Sequence, residues 1–540
     1  MLRFENGLKR FLVAGLFALL AGRLGAAAMP GADGKWLYLQ SPHFELYSRN
    51  SERESRLLLH NLELMHAIFF EAFGFTPVRA MPVTVYFFSR EKHFEAYKPA
   101  DTKKVENIAT YYHPEPDRGI LTVAPLPTYE AAQQLAFASY SHHLLRLLDE
   151  PAPLWYGYGV SGIFRNLEIG SASFELGRPD AHQIGRLQSV QLIPPDVMLG
   201  ADHKSDAYRS NQQSGLFHDE SWAMVHYLYF GKHAIPRERI SEFVAYALSN
   251  SRTFDAAATQ RGFEATLGMT YGQFKLELTN YLRTGRYGWK RLDLPAVAPA
   301  KSYSVRGVPP DEIGLRLAEL ALRVNRSPLG KLALLEALEH APDPTRLEEA
   351  LASDALRNGD RAGAAERWER SVAAGSTNPA VLHELCQFEG RQHFQQFDLY
   401  FRLPDDVADR MRSRLKQLIA ASPRLPASYE MLAWVEASAR EPQIPNVNLV
   451  QKNFPRVKAK PRTMLALAVA HLRLNDKAGA AGMLDEIERL GPDDWSRYGA
   501  EITRAKLEDR PVNRDNLPGS PTKAGSRARP VPIQVGKPQS

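Results

Sequence analysis

The stretch "LAFASYSHHLLRLLDEPAPLWYGYGVSGIF", Leu135 to Phe164, decides how the whole chain is read. Its first half closes a helix expected over about Thr128 to Leu148, with His142 and His143 adjacent on it. The prolines of "EPAPLW" interrupt the helical run, because proline lacks the backbone donor a helix interior needs. A second helix, about Tyr156 to Asn166, opens behind Trp155 with Gly157, Gly159 and Gly162.

Towards the N-terminus the pattern changes from helical to extended. "WLYLQSPHFELYS", Trp36 to Ser48, alternates as strands do and turns at Ser41-Pro42. Ser51 and Glu54 have the spacing of a capping box. Leu57, Leu58, Leu62, Met65, Phe69 and Phe70 then repeat at helical spacing down to Gly74. "PVTVYFF", Pro82 to Phe88, reads as a strand, and "NIATYYH" with "RGILTVAP" as a hairpin. Beyond the opening stretch, helices are expected over His218 to Phe230, Ile240 to Leu248 and Tyr271 to Leu282. A small sheet followed by helices is an α+β arrangement.

Residues 293–310, rich in Pro, Ala and Ser, are the expected linker, and residues 311–510 are helical. "RNGDRAGAA", Arg357 to Ala365, and "RLNDKAGAA", Arg473 to Ala481, each mark a helix, turn, helix junction, with Pro379 and Pro492 after the second helices. Such pairs resemble tetratricopeptide repeats, although the insertion "FDLYFRLPDDV" and the run "EPQIPNVN" break any strict period. The basic tail 511–540 has little to bury and is expected to be disordered.

The first 28 residues read as an export signal: Arg3, Lys9 and Arg10, an apolar run from Phe11 to Leu20, then Ala26-Ala27-Ala28. Arg23 closes that run short of a bilayer span, so after cleavage near Met29 no transmembrane segment is expected and the protein is periplasmic or secreted. Cys386 is the only cysteine, which excludes an internal disulfide and any cysteine-built zinc cage. A net charge of +6 over 540 residues, with both signs interspersed, is not the footprint of a nucleic-acid binder.

With "SPHFELYS", "LPTYEAAQQLAFASYSHHLLR", "PLWYGYGVSGIF", "FELGRP" and "HDESWAMVHYLYFG", residues 36–281 resemble the peptidase MA-like, or gluzincin, superfamily, in particular secreted members that carry C-terminal tetratricopeptide repeats. The resemblance implies an α+β gluzincin-like N-terminal domain over 29–292, a small sheet then helices. An all-α helical-repeat, tetratricopeptide-like domain would follow over 311–510. In the family an H-E-x-x-H helix holds zinc through two imidazoles four residues apart, a Glu between them acts as base, and a Glu on the next helix completes the ligands.

Here the first His position is Ala138, the base position Ser139, the second His position His142 and the third-ligand position Tyr158, where "LWYGYG" replaces Trp-x-x-Glu-Gly. Alanine has no donor atom, serine is no carboxylate base, and a neutral phenol is a poor zinc ligand. The expectation is therefore a catalytically inactive homologue without a cofactor, its His142 vestigial. It would bind a protein or peptide partner in the cell envelope through a groove lined by Tyr140, His142, Trp155, Tyr156 and Tyr158. One alternative is an active zinc peptidase with ligands relocated to His113, His203, His218 or His226; another is a scaffold that binds only through its helical repeats.

"GYGVSG", Gly157 to Gly162, matches G-x-G-x-x-G but lacks the strand before it that dinucleotide binding requires. Its glycines are expected to let this helix approach the preceding one.

Overall fold

The alternation in Trp36 to Ser48 gives two strands, Trp36–Gln40 (β1) and Phe44–Ser48 (β2), with Leu39, Phe44 and Leu46 buried and Trp36 buried on the opposite face. The computed structural model describes residues 29–99, 108–209, 214–233, 235–250, 255–512 and 517. The export segment 1–28 lies outside these residues, as does the tail 511–540 apart from Pro511, Val512 and Leu517.

Helix Glu52–Phe73 (α1) begins at the capping box of Ser51 and Glu54 and ends at Gly74, whose φ of 67° suits glycine. Strand Val83–Phe87 (β3) is buried at every position, as a central strand covered on both faces should be. A short helix Glu91–Glu95 (α2) precedes the hairpin Thr110–Pro114 (β4) and Gly119–Val123 (β5). Thr128 then caps Tyr129–Arg146 (α3), accepting from the Ala131 amide at 3.1 Å, and Leu154–Arg165 (α4) follows the proline break.

Next come Glu168–Ile169 (β6), Ser173–Leu176 (β7), Ala181–Gln188 (α5), Pro195–Gly200 (α6), Asp206–Arg209 (α7) and Ser214–Phe230 (α8). Arg237–Asn250 (α9), Ala256–Leu267 (α10) and Tyr271–Thr284 (α11) lead to Lys290–Asp293 (β8), Ser304–Val308 (β9), Pro310–Asn325 (α12) and Pro328–Leu338 (α13). The main sheet has six strands in the order β4-β5-β3-β2-β1-β9, parallel where β3 meets β2 and β5 and antiparallel elsewhere. Leu46, Val85 and Leu121 align across its three central strands and are fully buried. A second sheet orders β6-β7-β8.

The expected linker 293–310 is corrected by this sheet. β9 pairs with β1 from Trp36↔Val308 to Gln40↔Ser304, so the segment is a strand of the first unit. Helix α12 belongs there too. Arg323, fully buried, reaches Asp117 at 2.7 and 2.9 Å, Glu115 at 3.1 Å and Glu319 at 3.0 Å, and Tyr86 donates to the Arg316 carbonyl at 3.1 Å. The first compact unit therefore runs to Pro342. The second comprises residues from Asp343 together with Val78–Met81, rather than 311–510. Composition misled here because the Pro-rich residues flank the strand and β9 itself, Ser304–Val308, is short and mostly exposed, as an outer strand can be.

From Asp343 onward the described elements of the second unit are helices: Thr345–Arg357 (α14), Arg361–Ala373 (α15), Pro379–His393 (α16), Asp405–Ala421 (α17), Pro426–Ser438 (α18), Ile444–Asn453 (α19), Lys460–Arg473 (α20), Lys477–Arg489 (α21) and Asp494–Leu507 (α22). The two "AGAA" junctions fall where expected and are built alike. Asp360 caps α15 by accepting from the Gly363 amide at 2.8 Å, and Asp476 caps α21 by accepting from Gly479 at 2.9 Å. Each cap follows a left-handed residue, Gly359 or Asn475. Met411, Leu415, Leu432, Leu465 and Leu484 share one core with the buried Cys386. Among the described residues no helix is long and apolar enough to cross a membrane.

Candidate functional site

Helix α3 turns Ala138 and His142, one helical turn apart, towards α4. The Ser161 hydroxyl of α4 donates to the Ala138 carbonyl at 2.9 Å, and the His142 ring meets the Tyr158 ring edge-on at 5.3 Å between centroids. Ala138 and His142 share one helix face, as residues four apart do, and Tyr158 of α4 lies against His142. Ser139 is half-buried beside them.

Tyr158 is surrounded by rings. His218 of α8 stacks on it at 4.1 Å, Tyr208 of α7 joins its hydroxyl at 2.7 Å, and Phe217 packs edge-on at 6.2 Å. His203 lies 5.2 Å from Tyr208. Burial first, then the facing charges of His218 and His203, push His142 down to about 4. Burial also lowers His218 and His203, against the pull of Asp219 and Asp202 respectively. Burial and the neighbouring Tyr208 raise Tyr158. At neutral pH the site is a cluster of uncharged imidazoles and phenols. His218 Nε2 is buried there without a hydrogen-bond partner among the described residues.

Of the four histidines considered as relocated ligands, His203 and His218 come to this cluster. The other two are engaged elsewhere: His113 of β4 with Glu115 at 3.0 Å, and His226 with the Gly177 carbonyl at 2.6 Å and the Tyr281 hydroxyl at 2.7 Å. Because a carbonyl can only accept, His226 Nε2 carries the proton and Nδ1 accepts from Tyr281. Tyr208 and Phe217 were not legible as site residues, since neither belongs to a motif.

Three of the expected groove residues lie in the core instead. Tyr140 is bonded to His66 at 2.8 Å and stacks near His143, Trp155 stacks on Phe243 at 5.9 Å, and Tyr156 is bonded to Tyr229 at 3.0 Å. All three are almost wholly buried, so they support the site from behind and do not line it. His142 and Tyr158 remain partly accessible.

The glycines of "GYGVSG" serve a different neighbour from the one expected. A Cβ at Gly159 would clash with the Ser221 carbonyl and Val225, and one at Gly162 would meet Trp222 at 3.0 Å, so both let α4 lie close against α8. Gly157 alone faces the preceding helix, where a Cβ would find His142 and Leu145 at an ordinary 3.9 Å.

β4 forms one border of the main sheet, and among the described residues no strand pairs with its outer side. Tyr112 of β4 ties it to α3: Arg146 donates to the Tyr112 hydroxyl at 2.6 Å, and that hydroxyl is hydrogen-bonded with His143 Nδ1 at 3.0 Å. Glu115 N bonds Arg118 O at one end of the hairpin and Ala124 N bonds Ala109 O at the other, so the odd-numbered residues of β4 face β5. The amides and carbonyls of the even-numbered Thr110 and Tyr112 point away from it, as does the backbone of Pro114, which has no amide hydrogen to leave unpaired there.

The donor set does not fit the zinc site that the resemblance implies. Ala138 offers no atom, the Tyr158 hydroxyl is committed to Tyr208, and among the described residues no three His, Cys, Asp or Glu side chains are grouped to hold an ion. Comparison with known proteins finds no matching family, no matching curated protein and no matching solved structure.

Proposed function

We propose that this chain is an exported, catalytically inactive relative of the gluzincin peptidases that binds an extended peptide along the outer side of β4, with tetratricopeptide-like helix pairs as a second protein-binding unit. The observation that carries this reading is the unpaired side of β4, held to the motif-bearing helix α3 through Tyr112, Arg146 and His143. Main-chain groups at a sheet border bind a partner strand without any metal, so binding of this kind survives the loss of Ala138, Ser139 and Tyr158 as catalytic positions. The half-accessible His142 and Tyr158 supply an uncharged, aromatic wall for a peptide side chain.

Thr110→Pro tests the reading. It removes an amide hydrogen directed away from β5 and leaves the hairpin ladder intact. Titration of the full chain with short unstructured peptides selected for binding should show affinity about tenfold weaker in the variant, the equivalent of roughly one lost hydrogen bond. Undiminished affinity in a variant with unchanged melting would reject β4 as the binding strand and favour the helix pairs.

A further inference from the structure

The first unit carries a second surface that peptide binding at β4 does not use. The run "RTGRYGWKRL", Arg283 to Leu292, contains Arg283, Arg286, Lys290 and Arg291 and no acidic residue. It leaves α11 through Gly285 and becomes β8, an outer strand of the three-stranded sheet with every residue exposed. Trp289 and Leu292 are each 43% exposed, so two large apolar side chains stand among these cations.

The indole is held in place. The Arg178 and Arg291 guanidiniums lie over the Trp289 ring at 5.3 and 6.0 Å, and both are fixed by carboxylates: Arg178 by Glu168 at 2.8 Å and Glu175 at 2.6 Å, Arg291 by Glu175 at 2.8 Å. Those pairs balance one another. Arg283, Arg286 and Lys290 then outweigh the exposed Asp293 that ends β8, and the surface stays net positive. Lys290 sits over Phe230 at 5.8 Å, where burial and the facing Arg237 lower its pKa, so an incoming anion would relieve a repulsion already present.

We propose that the β8 edge docks this protein peripherally on an anionic phospholipid surface, with Trp289 and Leu292 at the interface and Arg283, Arg286 and Lys290 against headgroup phosphates. Exposed indole and exposed leucine on the two faces of one outer strand suit the boundary between headgroups and acyl chains when the strand's edge is turned to it. Charge complementarity supplies the long-range attraction. One exposed indole is a single ring, not the succession of aromatic platforms on which bases of a single strand stack, which favours lipid over single-stranded nucleic acid.

The chain from Met29 to Ser540 is to be sedimented with vesicles of phosphatidylcholine alone and of phosphatidylcholine mixed with phosphatidylglycerol. Binding is expected only to the anionic vesicles, declining as salt rises. Arg283→Ala with Arg286→Ala should reduce partitioning about fivefold for each cation removed, and Trp289→Ala should reduce it further. Should Trp289→Ala disturb β8, the arginine pair, both exposed, still decides the matter. Equal partitioning onto the two vesicle types, or partitioning unchanged in the double variant, would overturn the proposal; so would retention on single-stranded DNA without vesicle binding.

Discussion

Glu220 lies on α8 two residues beyond His218, with its carboxylate accepting the Ile193 amide at 2.8 Å. Burial pushes its pKa up to about 7, against the Ile193 amide and the Lys275 charge, which both lower it. A raised carboxyl pKa means the folded chain holds the proton that the unfolded chain releases. Its stabilising effect is complete below the ordinary value of 4.5 and is lost as pH rises through about 7. Glu220→Gln keeps the acceptor and cannot ionise. Urea unfolding should find the variant more stable than the parent above pH 7, by up to roughly 3 kcal/mol, with the difference closing near pH 4.5. A constant difference across that range would show that Glu220 does not titrate with folding. At the same scale, the meeting of His142 with Tyr158 was expected only through the gluzincin resemblance, because spacing along one helix fixes which residues share a face and not which neighbouring helix they meet. The burial of Tyr140, Trp155 and Tyr156 was not, since an aromatic residue on a helix reads alike whether it lines a groove or packs against α1, α8 and α9.

Helix α4 shows how glycine can be needed at one position and idle two residues away. Gly159 faces the Ser221 carbonyl and Val225 too closely for a Cβ, whereas Gly157 has room for one. Gly159→Ala must push α4 from α8 and should cost about 1–3 kcal/mol, while Gly157→Ala should be neutral or stabilise by up to about 1 kcal/mol through helix propensity. Thermal melts of the two variants give the comparison directly. Similar losses at both positions would mean that α4 needs flexibility rather than closeness. The capped helix α1, strands β1 to β5 of the main sheet and the two Asp-capped helix junctions were legible from apolar patterning with stop or start signals, whereas β9, with hardly a buried residue, read as linker. The β6-β7-β8 sheet was not. β6 spans only Glu168–Ile169 and β8 has no buried face, so neither offers the alternation by which strands are read.

At the scale of the whole chain, the division after Pro342 rests on what Arg323 holds. Burial works against its charge, and Asp117, Glu319 and Glu115 outweigh it, so the guanidinium is raised above its ordinary value and stays ionised. A chain ending at Pro310 would keep Asp117 and Glu115 in the β4–β5 turn, with Arg118 still beside Asp117 at 3.0 Å, and lose the cation they surround. Breaking a buried ion pair on one side costs about 3–5 kcal/mol, more than replacing the pair with apolar groups would. The fragment 29–310 is therefore expected to be less stable than 29–342 by at least about 3 kcal/mol in urea unfolding. Both fragments lack the second unit equally, so the difference reports α12 and α13 alone. Arg323→Met in the longer fragment separates the two contributions: it should reproduce the electrostatic part of the loss while α12 keeps its apolar contacts through Ile313, Leu317 and Leu320. Equal stability of the two fragments would return the boundary to 310, and β9 would then be the true end of the first unit.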